Sequence, residues 1–204
     1  MVAIKNMVRK WMRTLAGILN RLSGGRLSPN TITMVGFLMH LPIAVLIAQG
    51  HNRWAALLLV IFGLFDTLDG ELARLQDRAS ERGMLLDAST DRFKEVLLYT
   101  GAAYALALSH HPTAAAWAAA ACGASLSVSY VKAKGEAVVA SAGKAVPHAA
   151  LNHMFADGLL TFEVRMAVLV VGLLSNQLFA AVVIIAILAS YTAGQRLMRI
   201  TQKI

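Results

Sequence analysis

The sequence is poor in charge, in aromatic residues and in cysteine. Cys122 is the only cysteine, so an intrachain disulfide is excluded. No cluster of Cys and His has zinc-ligand spacing, which removes the usual structural metal. Aromatic residues make up 7% of the chain and are not interleaved with basic ones, so a surface that stacks nucleic-acid bases is not expected. Only 15% of the 204 residues are charged, too few for the surface of a soluble domain of this size. The first 25 residues lack a continuous apolar core, so no cleavable signal peptide is expected. No internal repeat is visible.

What the chain has instead is apolar sequence, 57% of all residues. The runs are long enough to cross a bilayer, and they predict an all-α integral membrane protein. Six transmembrane helices are expected, over about 31–49, 54–75, 84–108, 113–134, 159–174 and 178–194. The division is residues 1–26 as an amphipathic juxtamembrane helix and 27–204 as a six-helix transmembrane catalytic domain. In the first part, Ile4, Val8, Trp11, Leu15, Ile18 and Leu22 follow helical spacing while Lys5, Arg9, Lys10 and Arg13 fall mostly opposite. That is the pattern of a helix lying in the headgroup plane. Gly24-Gly25 ends it, and Ser28-Pro29 opens the next helix. His40, inside the first span, has no partner at ligand spacing and reads as a packed histidine. His110-His111-Pro112 reads as an exposed turn, and 137–157 as a polar connection.

Acidic residues concentrate in the middle of the chain. Asp66-Thr67-Leu68-Asp69-Gly70-Glu71-Leu72-Ala73-Arg74 is followed, eight residues later, by Gly83-Met84-Leu85-Leu86-Asp87-Ala88-Ser89-Thr90-Asp91. Helical steps of three and four put Asp66, Asp69, Gly70 and Ala73 on one stripe and Gly83, Asp87 and Asp91 on another. The charged stretch between them predicts a turn, so two antiparallel helices would aim four carboxylates at one point. Such a group repels itself unless a cation sits within it. Oxygen-only ligands suit Mg²⁺ or Mn²⁺, and a pair of such ions is a known device for phosphate chemistry. Gly70 and Gly83 allow close approach, and Arg74 lies where it can neutralise phosphate oxygens. A charged hairpin is ordinarily a solvated face; here apolar runs flank it on both sides, and ionisable groups at the ends of membrane helices are functional by default.

The full pattern, D-x-x-D-G-x-x-A-R then G-x-x-x-D-x-x-x-D, resembles the signature of the CDP-alcohol phosphotransferase family at all of its fixed positions. The resemblance implies transfer of a phosphatidyl, or other substituted phosphate, group from a CDP-linked lipid such as CDP-diacylglycerol to an acceptor alcohol, with release of CMP. It implies Asp66, Asp69, Asp87 and Asp91 as metal ligands for two divalent ions, with Asp91 also the general base. It implies Asp69, Gly70, Ala73 and Arg74 at the CDP moiety, and a homodimer. The Leu86–Arg92 segment and Ser129-Tyr130-Val131-Lys132-Ala133-Lys134-Gly135-Glu136 resemble phosphatidylinositol-phosphate and archaetidylinositol-phosphate synthases. Lys132, Lys134, Arg165 and Arg92 are then candidates for an acceptor phosphate. The E-R-x-E-R segment of that subfamily is absent, and only Thr161–Arg165 stands nearby. Inositol phosphate, glycerol phosphate, another polyol phosphate and an unphosphorylated alcohol all stay open as acceptors. From a different class, a divalent-cation transporter is the alternative.

Charge gives the orientation. With six crossings and a cytoplasmic N-terminus, 18 of the 19 Lys and Arg residues fall on the cytoplasmic side, leaving only Arg53 outside. The expected location is the cell (inner) membrane, with the acidic hairpin facing the cytoplasm. The net charge of +8 suits anionic lipid headgroups and phosphorylated substrates.

Overall fold

The computed structural model describes residues 2–109, 113–141 and 160–202. Its described elements are all helices: α1 (Val2–Leu22), α2 (Pro29–Ala48), α3 (Asn52–Gly63), α4 (Phe65–Leu75), α5 (Glu81–Ala107), α6 (Ala114–Ser141), α7 (Phe162–Leu174) and α8 (Leu178–Thr201). The His110–Pro112 turn, and the 142–157 part of the polar connection, lie outside the described residues. Residues 137–141, expected within that connection, continue α6.

α1 ends as its sequence predicts. Gly24 and Gly25 take positive φ, and the Gly25 N–H reaches back to the Asn20 carbonyl at 2.8 Å. The helix then lies against α4. Ala16, Ile32, Leu68 and Leu72 form a small core, with Met12, Leu19, Leu27 and Phe65 packed on it. The larger core draws on α2, α3, α5, α6, α7 and α8, with Ile43, Leu59, Leu98, Ala118, Leu169 and Ile185 among its members.

The expected helix over 54–75 is two helices. Leu64 interrupts it, its N–H bonded to Ile61 three residues back at 3.3 Å. Gly63 precedes the break, and Phe65 follows it with its Cβ 3.2 Å from where a Cβ on Gly36 of α2 would stand. A tightened turn beside glycine is a common cause of a helix kink. Its effect is to set the first half of the acidic motif on its own short helix.

α2 and α5 approach most closely at Gly101, where an added Cβ would lie 2.4 Å from the Ala44 carbonyl oxygen. This contact holds the second half of the motif near α2. His40 is buried and its Nδ1 donates to the Gly36 carbonyl at 2.7 Å, consistent with a packed histidine.

Among the described residues, three helices are long and apolar enough to cross a membrane by length and composition: Pro29–Ala48, Ala114–Val139 and Leu178–Thr201. α3 has 12 residues and α7 has 13, short of a span on their own. α5 has the length, but carries Asp87, Asp91, Arg92, Lys94 and Glu95. The outer surface is apolar: Leu57, Val60, Leu108, Val171, Ile184 and Ile187 are all exposed.

Candidate functional site

α4 and α5 bring three of the four aspartates together. Ligand oxygens of Asp66, Asp69 and Asp87 all lie within 4.8 Å of one another. The kink at Leu64 gives α4 its own direction, and the Ser80 hydroxyl caps the start of α5 by accepting from the Gly83 N–H at 3.1 Å. Thr33 of α2 donates its hydroxyl to Asp69 Oδ2 at 2.5 Å. That bond fixes the buried Asp69 side chain.

Asp87 Oδ1 is buried with no hydrogen-bond partner in the described structure. An unpaired buried carboxylate oxygen is costly. A hard divalent ion held among the three acids would supply the missing partner, so the donor set fits Mg²⁺ or Mn²⁺. Asp66, Asp69 and Asp87 are the residues that would hold it.

Asp91 stands outside that three-acid group. Its Oδ1 accepts from Lys94 Nζ at 3.1 Å, and its Oδ2 lies 3.7 Å from Arg92 Nη2. Lys94 is 1% exposed and also donates to Asp66 Oδ1 at 2.5 Å. A buried ammonium therefore bridges the two halves of the motif.

Beyond Asp91 lies a buried ionic group. Glu95, fully buried, accepts from Arg165 Nε at 2.9 Å and from Arg92 Nη1 at 2.8 Å. Arg165 also donates to the Leu160 carbonyl, and Arg92 to the Ser129 hydroxyl. Both guanidinium groups lie over the Phe162 ring, at 5.1 Å for Arg92 and 5.9 Å for Arg165. Two of the four candidate acceptor residues thus meet around Glu95. The other two are on α6: Lys132 is 3.8 Å from Glu136, and Lys134 is exposed.

On the outer side of α4, the Arg74 guanidinium covers Gly70, 3.5 Å from where a Cβ would stand. Ala73 is half-buried on the same helix. Arg74 and Arg9 both donate to Glu71 Oε1 at 2.7 Å. A cleft of about 560 Å³ opens there, lined by Asn6, Arg9, Lys10, Arg13, Glu71, Arg74 and Leu75. The basic face of α1 and the arginine of the motif therefore share one cavity.

Sequence reasoning missed Thr33, Lys94, Glu95 and the Arg9–Glu71 pair. Lys94 and Glu95 stand three and four residues after Asp91, on the helical face of the aspartates, and that spacing could have found them. Thr33 carries no local signal.

Comparison with known proteins gives a consistent picture. The sequence model of the CDP-alcohol phosphatidyltransferase family matches residues 26–192. The phosphatidylinositol phosphate synthase of Corynebacterium glutamicum is 38% identical over 115 residues, 55% of this chain and 52% of that protein. The phosphatidylinositol phosphate synthase of Cutibacterium acnes is 30% identical over 136 residues, 65% of each chain. These matches thus span less than two thirds of either relative. Among solved structures, the Mycobacterium tuberculosis phosphatidylinositol phosphate synthase with CDP-DAG bound superposes with a TM-score of 0.77 at 22% identity, covering 93% of this chain and 92% of that one. The same enzyme with manganese and citrate also gives 0.77, at 23% identity, over 93% of this chain and 88% of that one. These likenesses show a shared fold.

Proposed function

Because the chain belongs to the CDP-alcohol phosphatidyltransferase family, we propose that it transfers the phosphatidyl group of CDP-diacylglycerol, or a related CDP-lipid, to an acceptor alcohol and releases CMP. The observation that carries this reading is the meeting of Asp66, Asp69 and Asp87 within 4.8 Å on two successive helices. The names of the curated relatives favour inositol phosphate as acceptor. The Arg92–Glu95–Arg165 group supports a phosphorylated acceptor, with Lys132 and Lys134 as further cations on α6.

Each residue has a distinct task in this scheme. Asp66, Asp69 and Asp87 would hold a divalent ion, which would supply positive charge for the pyrophosphate. Gly70 and Ala73 leave room for the cytidine nucleotide, and Arg74 faces its phosphates. Asp91, held by Lys94, receives the proton of the acceptor hydroxyl. The hydroxyl oxygen bonds to the lipid-linked phosphorus, the bond to the bridging pyrophosphate oxygen breaks, and CMP carries that oxygen away. Most of the rate then comes from positioning and charge neutralisation.

The membrane setting follows from the substrate. Acyl chains stay in the bilayer while the nucleotide enters from water. In this reading α3 with α4, α5 and α7 cross alongside the three long apolar helices, and α1 lies at the headgroup level. The protein is a multi-pass homodimer of the cell membrane, with its aspartates facing the cytoplasm.

The test is purified protein with labelled CDP-diacylglycerol, Mg²⁺ or Mn²⁺, and a panel of free and phosphorylated alcohols. CMP and lipid product should form together, and fastest with inositol phosphate. Preference for glycerol phosphate or a free alcohol would reassign the acceptor. Metal flux into proteoliposomes without CMP release would favour a cation transporter instead. Turnover retained in Asp91→Asn, with metal binding intact, would remove the base assignment.

A further inference from the structure

Among the described residues, Lys94 is a buried cation that contacts aspartates of both halves of the motif. It is 1% exposed, and its Nζ lies 2.5 Å from Asp66 Oδ1 and 3.1 Å from Asp91 Oδ1. These two carboxylates come from different helices, α4 and α5. Asp66 is shared between the ammonium and the three-acid group, whereas Asp91 is paired with Lys94 and Arg92 and is not part of that group.

A second divalent ion would have to be held by carboxylate oxygens that the three-acid group does not already commit, and Asp91 is the remaining aspartate of the motif. The ammonium already bridges Asp91 to Asp66. Its stem is packed in the protein, and its charge repels a further cation at that place. Burial makes this repulsion stronger than it would be in water.

We propose that Lys94 replaces the second divalent ion: the site binds one ion, at Asp66, Asp69 and Asp87, and the Lys94 ammonium serves as the fixed cation between Asp66 and Asp91. Lys94 is thus a positioning residue. It holds Asp91 ready for the acceptor hydroxyl and supplies permanently the charge that a second ion would supply only when bound. This rests on the transferase reading, since that reading is what calls for two cations at the aspartates.

The test counts ions. Detergent-purified protein is titrated with Mn²⁺, reading free ion by electron paramagnetic resonance and bound metal by elemental analysis. The expected result is one ion per chain in the native protein. Lys94→Ala, which vacates the bridge, should bind two, and Lys94→Gln, which fills it without charge, should fall between in affinity for the second. Folding of each variant is checked by size-exclusion chromatography. Two ions per chain in the native protein would overturn the proposal even if both variants fail to fold, as would an unchanged count of one in a folded Lys94→Ala. CMP release is assayed on the same samples. One bound ion without CMP release removes the transferase reading and keeps the ion count, whereas CMP release with two ions removes only the role of Lys94. Absence of any bound ion overturns both.

Discussion

Thr33→Val keeps the side-chain shape and removes the hydroxyl that donates to Asp69 at 2.5 Å. Groups that orient a metal ligand are commonly worth about 10–100-fold in metal affinity. Mn²⁺ affinity should therefore fall by about that factor, measured by paramagnetic resonance, while the fold is kept. Unchanged affinity would mean that Thr33 does not orient a ligand. Asp66→Asn goes further, removing charge from the three-acid group itself. It should abolish measurable Mn²⁺ binding and lower CMP release by at least about 100-fold, of the order seen when a transition-state charge partner is lost. The difference in what was legible follows from range. The aspartates are spaced by helical periods within one stretch, so their shared faces can be read from the sequence. Thr33 reaches Asp69 from 36 residues away, through helix packing that no local pattern encodes. Lys94 was readable from its three-residue step after Asp91, but as a charge near a membrane boundary it was absorbed into the topology.

At the scale of elements, close packing decides where the two halves of the motif meet. Gly101→Ala puts a methyl about where the Ala44 carbonyl stands, at 2.4 Å from its oxygen. Backbone cannot yield as a flexible side chain would, so α2 and α5 must separate. Overpacking of this kind typically costs about 1–3 kcal/mol. Gly123→Ala on α6 is the control, because an added Cβ there meets nothing within 4 Å. Thermal unfolding in detergent should show a lower midpoint for the first and no loss for the second. The Glu95–Arg165 pair makes a similar tie between α5 and α7, both side chains being buried. Glu95→Ala leaves Arg165 buried without its carboxylate, a loss of about 3–5 kcal/mol when such a pair is broken. Its melting midpoint should drop further than that of Gly101→Ala. Helix positions were largely legible because apolar periodicity and glycine or proline boundaries are local. The break at Leu64 was not, since Gly63 alone is tolerated in a helix and the packing of Phe65 against Gly36 is a tertiary event.

For the whole molecule, the all-helical fold was read from composition, yet among the described residues three rather than six helices meet the length and apolarity of a span. The site accounts for two of the other three, since its charges interrupt α5 and a kink divides α3 from α4, while the described α7 is short at 13 residues. A count by hydropathy therefore misses any span that carries charge or is divided by a kink. The charge distribution supplies what hydropathy loses, because six crossings leave only Arg53 of 19 basic residues on the far side, whereas an odd number would split the site residues between two faces. This gives a direct test of orientation. Cys122 is the only cysteine, so Cys122→Ser provides a cysteine-free background. Into it go Arg53→Cys before α3, Gln177→Cys before α8, and Asp77→Cys between α4 and α5; all three positions are exposed. A membrane-impermeant maleimide applied to intact cells should label the first two. Asp77→Cys should react only after permeabilisation, because the proposed arrangement puts the turn between α4 and α5 on the cytoplasmic side. Labelling of Asp77→Cys in intact cells would put the site outside, away from its nucleotide, and the six-crossing arrangement would have to be abandoned.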